Sequence, residues 1–237
     1  MTNKVIFLIV EGFSDEAIFG RLKNKYLKYN IKFINIGGDL FGDVNSRVKI
    51  QNRIKTQVEK KILQLKLKKS DVLGVLQVTD LDGCMIGNDD IIVDSNQLEK
   101  TKYENNRIKL QNISQKAYIE KKNELKSFEI KRMNKYSHIG LYKYQIYYFA
   151  RTMEHVIFNE ANPDDDTKVE NIETFIDTLD ISIESYLSQF LPPIEKQKYE
   201  EKYDLSWDFV SSNNNSLHRF TNVSLLFEFV NTLSKIE

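Results

Sequence analysis

Three carboxylates stand where two hydrophobic runs end. Val5-Ile6-Phe7-Leu8-Ile9-Val10 leads into Glu11-Gly12-Phe13-Ser14-Asp15-Glu16, and Val72-Leu73-Gly74-Val75-Leu76-Gln77-Val78-Thr79 leads into Asp80-Leu81-Asp82-Gly83. Carboxylates that share one spot repel each other unless protons or a cation intervene. An all-oxygen donor set suits a hard divalent ion such as Mg²⁺. Gly12 and Gly83 leave room for an ion or a phosphate to approach the backbone. The plainer use of the same residues is a helix cap at Ser14 or Asp15 and an ordinary Asp-Gly turn.

For this chemistry the two runs must be neighbouring strands of one sheet. Each is short and rich in Val and Ile, as strands buried on both faces of a parallel sheet are. Ligands of such sheets sit beyond the carboxyl ends of the strands. Between the runs, a helix is expected over 15–29, with Ala17, Ile18, Phe19, Leu22, Tyr26 and Leu27 on its apolar side. A strand at 31–36 stopped by Gly37-Gly38 should follow, then a helix over 45–68 with Val48, Ile54, Val58, Ile62 and Leu65 inward. This β-α-β-α-β order makes the first hundred residues α/β. Residues 86–138 read as an insertion, a short Ile91-Ile92-Val93 run followed by a lysine-rich helix. Tyr142–Phe149 reads as a fourth strand, with its tyrosines in the core, and Arg151–Phe158 as a helix start. From Thr167 the pattern is helical, broken at Pro192-Pro193, looped at 211–216 and closed by an amphipathic helix through Leu225 and Leu233. The organisation expected is an α/β domain over 1–160 and a C-terminal helical region over 161–237.

The chain of 237 residues is long enough to bury a core of this kind. Its single cysteine, Cys84, excludes an internal disulfide and a cysteine-based zinc cluster, and reads as a small core residue. No apolar stretch approaches a membrane span, and the N-terminus lacks the zones of a signal peptide, so the cytoplasm is the expected compartment. Formal net charge is zero, but it is unevenly spread. Residues 100–135 hold eleven Lys or Arg against four Glu, and residues 160–208 hold fourteen Asp or Glu against four Lys. The basic block is the expected path of a nucleic-acid backbone, with Lys121, Lys122, Lys131 and Arg132 as phosphate contacts; the simpler alternative is a solvated helix face.

A Glu-Gly pair closing an N-terminal strand, followed after two further helix–strand steps by Asp-x-Asp at a strand end, resembles the Toprim domain. That domain occurs in topoisomerases, primases, overcoming-lysogenization-defect nucleases and bacterial phage-defence effectors. The resemblance rests on Glu11-Gly12, with Ser14-Asp15 behind them, and on Asp80-Leu81-Asp82-Gly83, and it covers about half the chain. It implies a Rossmann-like, mostly parallel four-stranded sheet with flanking helices. It also implies a Mg²⁺-dependent site (Mn²⁺ as substitute) that breaks or forms phosphodiester bonds in RNA or DNA. Asp80 and Asp82 would then ligate the metal, and Glu11 would be a further ligand or a general acid/base. Glu154, in Arg151-Thr152-Met153-Glu154, matches the later acidic residue of nuclease-type members and favours a two-ion site. Small members of this look act as phage-defence toxins beside an ABC-type ATPase.

Two other functions fit parts of the pattern. Asp80-Leu81-Asp82-Gly83 also resembles the first motif of haloacid-dehalogenase-type phosphatases, with Asp80 as nucleophile and Asp82 as acid/base. There the next residue is usually Thr, where this chain has Cys84, and Glu11 has no role. A non-catalytic binding or regulatory module on the same fold is the other. A Walker-type phosphate loop is absent from the sequence.

Overall fold

Burial on both sides of a strand requires a nearly continuous apolar run, and β1 (Val5–Val10) is buried at all six positions. The computed structural model describes residues 4–20, 30–35, 39–41, 48–160 and 168–233. Within them β1 lies between β2 (Asn30–Asn35) and β3 (Val72–Asp80), parallel to both. The chain is thus α/β, with α1 (Phe13–Gly20) and α2 (Ile50–Gln64) separating the first three strands. Residues 21–29 and 42–47, which carry parts of the expected helices, and Gly37-Gly38 lie outside the described residues.

The inward stripe of α2 is Ile50, Ile54, Val58 and Ile62, a strict four-residue repeat. This corrects the expected stripe at both ends: Val48 precedes the helix and is exposed, and Leu65 is its C-cap.

The insertion departs most from expectation. Its first half is a second sheet of β4 (Ile91–Val93), β5 (Thr101–Tyr103) and β6 (Ile108–Leu110), in the order β4-β6-β5. Ile86, Ile91, Ile108 and Leu110 form a small separate core with Leu217 from the C-terminal region. Three-residue strands are too short for an alternating pattern to show in the sequence. Only then does the lysine-rich helix α3 (Ile113–Asn134) begin, capped by the Asn112 side chain, which accepts from the Gln115 N–H at 2.9 Å.

The chain re-enters the main sheet through β7 (His138–Ile139) and β8 (Tyr142–Phe149), joined at Gly140 with φ +61°. Strand β8 runs parallel to β3, and two-residue β7 is the antiparallel edge, giving the order β2-β1-β3-β8-β7. Four parallel strands therefore match the expectation, with a fifth added at the edge. Tyr142, Tyr144, Tyr147 and Tyr148 are buried, as expected of core residues.

After α4 (Met153–Phe158) come α5 (Lys168–Thr178), α6 (Ile183–Ser188), α7 (Tyr199–Val210) and α8 (Ser224–Leu233). These helices share the main core with the sheet. Tyr148 donates its hydroxyl to the Ser206 carbonyl at 2.8 Å and meets Trp207 edge-on, while its N–H donates to Asn222. Among the described residues, no helix is long and apolar enough to cross a membrane.

Candidate active site

Parallel pairing fixes which strand-end residues meet. Ile9 is registered with Gln77, so two residues further on Glu11 stands beside Thr79. The Thr79 hydroxyl donates to Glu11 Oε1 at 2.5 Å. Asp80 closes β3 opposite Phe149 of β8. Beyond it, the Leu81 N–H donates to the Phe149 carbonyl and the Asp82 N–H to that of Arg151, both at 2.9 Å. Asp82 and Gly83 then turn the chain with φ +51° and +67°, closed by a bond from the Cys84 N–H to the Leu81 carbonyl. Two consecutive left-handed residues make this a type I′ turn, which an Asp-Gly pair tolerates best. A Cβ on Gly83 would come within 2.5 Å of Leu217.

Helix α1 starts two residues before the expected 15, so Asp15 lies in its first turn and not at the N-cap, and from there it accepts the Gly12 N–H at 2.9 Å. The side chain of Ser14 lies outside the described set. Glu154 is buried, in a helix capped by Thr152, whose hydroxyl accepts the His155 N–H. Its placement is thus not that of a surface glutamate. The electrostatic coupling of Asp80 to Asp15, Glu11, Asp82 and Glu154 marks these groups as one cluster. All four expected site residues, Glu11, Asp80, Asp82 and Glu154, therefore gather at the carboxyl ends of β1, β3 and β8.

The structure adds three residues to the cluster, Asp39, Lys126 and Lys122. Asp39, beyond the end of β2, accepts the Phe41 N–H on Oδ1. Its Oδ2 meets Lys126 of α3, whose ammonium is fully buried and donates at 2.9 Å to Asp39 and at 2.7 Å to Asp82. Lys122, one turn earlier, lies 3.3 Å from Asp39 and 3.6 Å from Asp82. A signal for Asp39 existed, since it follows the Gly-Gly stop of β2 much as Glu11 follows β1. The signal for Lys126 is weaker: it falls among Asn123, Ile130 and Met133, a 3-4-3 spacing that puts a lysine on the buried stripe of a helix.

Burial pushes Glu11 up to about 8; Lys126 opposes this, and Asp39 and Asp82 add to it. Asp15 rises to about 6, again through burial, with the Gly12 N–H opposing and Glu154 adding. Asp80 is pushed well above the usual carboxylate range by burial and by Asp15, Glu11, Asp82 and Glu154, and its Oδ1 is buried without a hydrogen-bond partner. At neutral pH Glu11 therefore holds a proton, and burial moves Asp80 in the same direction. For Lys126, burial favours the neutral amine, but Asp82, Glu11 and Asp39 outweigh it and raise the value.

Around this cluster, Cys84 is buried and pushed up to about 12 by burial, an inert core thiol. The Arg151 guanidinium lies 4.5 Å from the centre of the Tyr103 ring. Burial, then Arg151, Arg219 and His218, lower His155 to about 4, so it is neutral and packed.

The four residues expected to contact phosphate do not share one surface. Lys121 and Lys131 are exposed, Lys122 faces Asp39 and Asp82, and Arg132 bonds Glu129. At about 100° per residue, Lys122 and Lys131 lie on opposite sides of α3.

Among the described residues, no group of three Asp, Glu, His or Cys side chains stands ready to hold a metal ion. The donor chemistry nonetheless fits a hard cation. Glu11 carries a proton that such an ion would displace, and a buried oxygen of Asp80 has no partner. What the fold and site define is an α/β protein with an acidic cluster at the carboxyl edge of a mostly parallel sheet. No family model, no curated protein and no solved structure matches the chain.

Proposed function

We propose that this chain is a Mg²⁺-dependent, Toprim-type nuclease, acting on RNA or DNA in the cytoplasm as a phage-defence effector. The observation that carries the metal site is Asp80: a strand-end carboxylate with an unpartnered buried oxygen, raised by burial and by four neighbouring acids. Glu11 and Asp80 would hold the ion, while Asp82, the third ligand expected, has its Oδ2 on the Lys126 ammonium. When bound it neutralises a phosphate oxygen and makes a water nucleophilic near neutral pH.

The chain's own residues supply the rest. Thr79 fixes the Glu11 carboxyl, so that group is oriented before any ligand arrives. Burial pushes Glu11 up to about 8 in the metal-free chain, so its proton is one that a bound cation would displace. Asp15 and Glu154 add negative charge beside Asp80, which raises the demand for a cation. Toprim membership, the defence role and an ABC-type ATPase partner rest on the strand-end motifs alone.

The test incubates the purified chain with Mg²⁺, Mn²⁺ or EDTA against tRNA, mRNA, and single- and double-stranded DNA. Cleavage should need the metal and fall by about a thousandfold or more in Glu11→Ala and Asp80→Ala. Turnover of a phosphate monoester, lost in Asp80→Ala but kept in Glu11→Ala, would replace this reading with the phosphatase. Specific binding with no cleavage, even beside its genomic neighbours, would replace it with a binding module.

A further inference from the structure

A pair of facing carboxylates can be neutralised by a proton, a metal ion or a lysine, and in this cluster one pair already has its lysine. The Lys126 ammonium donates to Asp39 and Asp82 at 2.9 and 2.7 Å and has no exposed surface. It is delivered by α3, a helix of 22 residues that also buries Asn123, Ile130 and Met133. Lys122 stands behind it on the same two carboxylates. A Mg²⁺ ion bridging Asp39 and Asp82 would need their oxygens at about 2.1 Å, in the space that the ammonium fills. The two cations exclude each other there.

The other side of the cluster differs. Glu11 is held by a hydroxyl and Asp15 by a backbone N–H, and Asp80 leaves a buried oxygen without a partner. Resting on the metal-site reading above, we propose that Lys126 is the resident counter-ion of Asp39 and Asp82, in the place where a two-ion site would carry its second divalent cation. The chain then takes one divalent ion, on the Glu11–Asp80 side. In that role Lys126 is a positioning residue, which sets how many metals bind and where.

The readout is the number of Mn²⁺ ions bound by the purified full-length chain, counted from free Mn²⁺ by electron paramagnetic resonance during titration. Wild type should bind one, and Asp80→Ala none. Lys126→Met, which keeps the length of the side chain without its charge, should bind two. Adding Asp39→Asn to Lys126→Met should return the count to one. Two ions in wild type, or one in Lys126→Met with unchanged affinity, would overturn the proposal while leaving the metal site standing. No Mn²⁺ in wild type would overturn both. If circular dichroism shows Lys126→Met unfolded, the wild-type count decides: one supports the assignment and two defeats it.

Discussion

Asp39 and Asp82 on one side of the cluster, and Glu11, Asp15 and Asp80 on the other, are the same chemical group at the same edge of one sheet. Their charge is managed differently. Asp39 and Asp82 meet two ammonium groups from a single helix. Burial and mutual repulsion raise Glu11, Asp15 and Asp80, so part of their charge is replaced by protons. A lysine on a packed helix is a permanent counter-ion, whereas a proton yields to any cation that binds better. The lysine side is therefore built for structure and the protonated side for exchange.

The largest effect that would break this contrast is on stability against pH. Between the ordinary value of Glu11, 4.5, and about 8 in the folded chain, the native state holds a proton that the unfolded state has released. Stability must then fall as pH rises through that window. Asp15, up at about 6, and Asp80 act with the same sign. Lys126 is raised in the folded state, so its contribution is complete below the ordinary lysine value and constant across the window. Metal-free protein should melt at progressively lower temperature from about pH 5 to pH 8. Glu11→Gln should flatten that trend and stabilise the chain by on the order of 3 kcal/mol at pH 7. A wild-type melting temperature that stays level in calorimetry across the window would remove the protonated side of the comparison.

A smaller effect is expected on the lysine side. Removing one partner of a fully buried ion pair costs about 3–5 kcal/mol. Here Asp39 and Asp82 are 20% and 26% exposed and Lys122 remains beside them. Lys126→Met should therefore cost about 2 kcal/mol in urea unfolding. Lys122→Gln, which removes a partly exposed and longer contact, should cost less than about 1 kcal/mol. Equal costs for the two would show that burial of the Lys126 ammonium has no special weight.

How much of this contrast is legible in the sequence follows from where each residue gets its position. Glu11, Asp80 and Asp82 are readable because strand ends are marked by hydrophobic runs, and parallel neighbours bring strand ends together. Glu154 follows a strand as well, and its burial comes from the helix that starts there. Lys126 is hidden because α3 is lysine-rich throughout, so one inward lysine does not stand out by composition. Its pairing with Asp39 also spans 87 residues, and only the tertiary fold supplies that. The small sheet of the insertion is hidden for another reason. Its core of four residues is completed by Leu217 from the far end of the chain, so no local window contains it. The basic block of 100–135 looked like one surface because charge counts carry no direction. In the structure Lys109 pairs with Glu104 and Asp94, Lys116 with Glu120, and Lys122 and Lys126 with the acidic cluster.

The smallest expected effect concerns what remains of that surface. On α3, the exposed Lys121 and Lys131 lie about 80° apart, Lys121 about 100° round from Lys122 and Lys131 opposite it. One face of the helix thus serves the acidic cluster, and the adjacent face presents a basic ridge. A nucleic-acid backbone along the ridge would contact Lys121 and Lys131. Each phosphate contact contributes about 0.7–0.9 to the slope of log affinity against log salt. Lys121→Glu with Lys131→Glu should therefore weaken binding and make that slope shallower by about 1.5. Lys122→Glu should change stability and metal count instead, because it reverses a charge that faces Asp39 and Asp82. If Lys122→Glu alone flattened the salt dependence and the ridge pair left it untouched, the division of α3 into two faces would be wrong, and the nucleic acid would lie over the cluster itself.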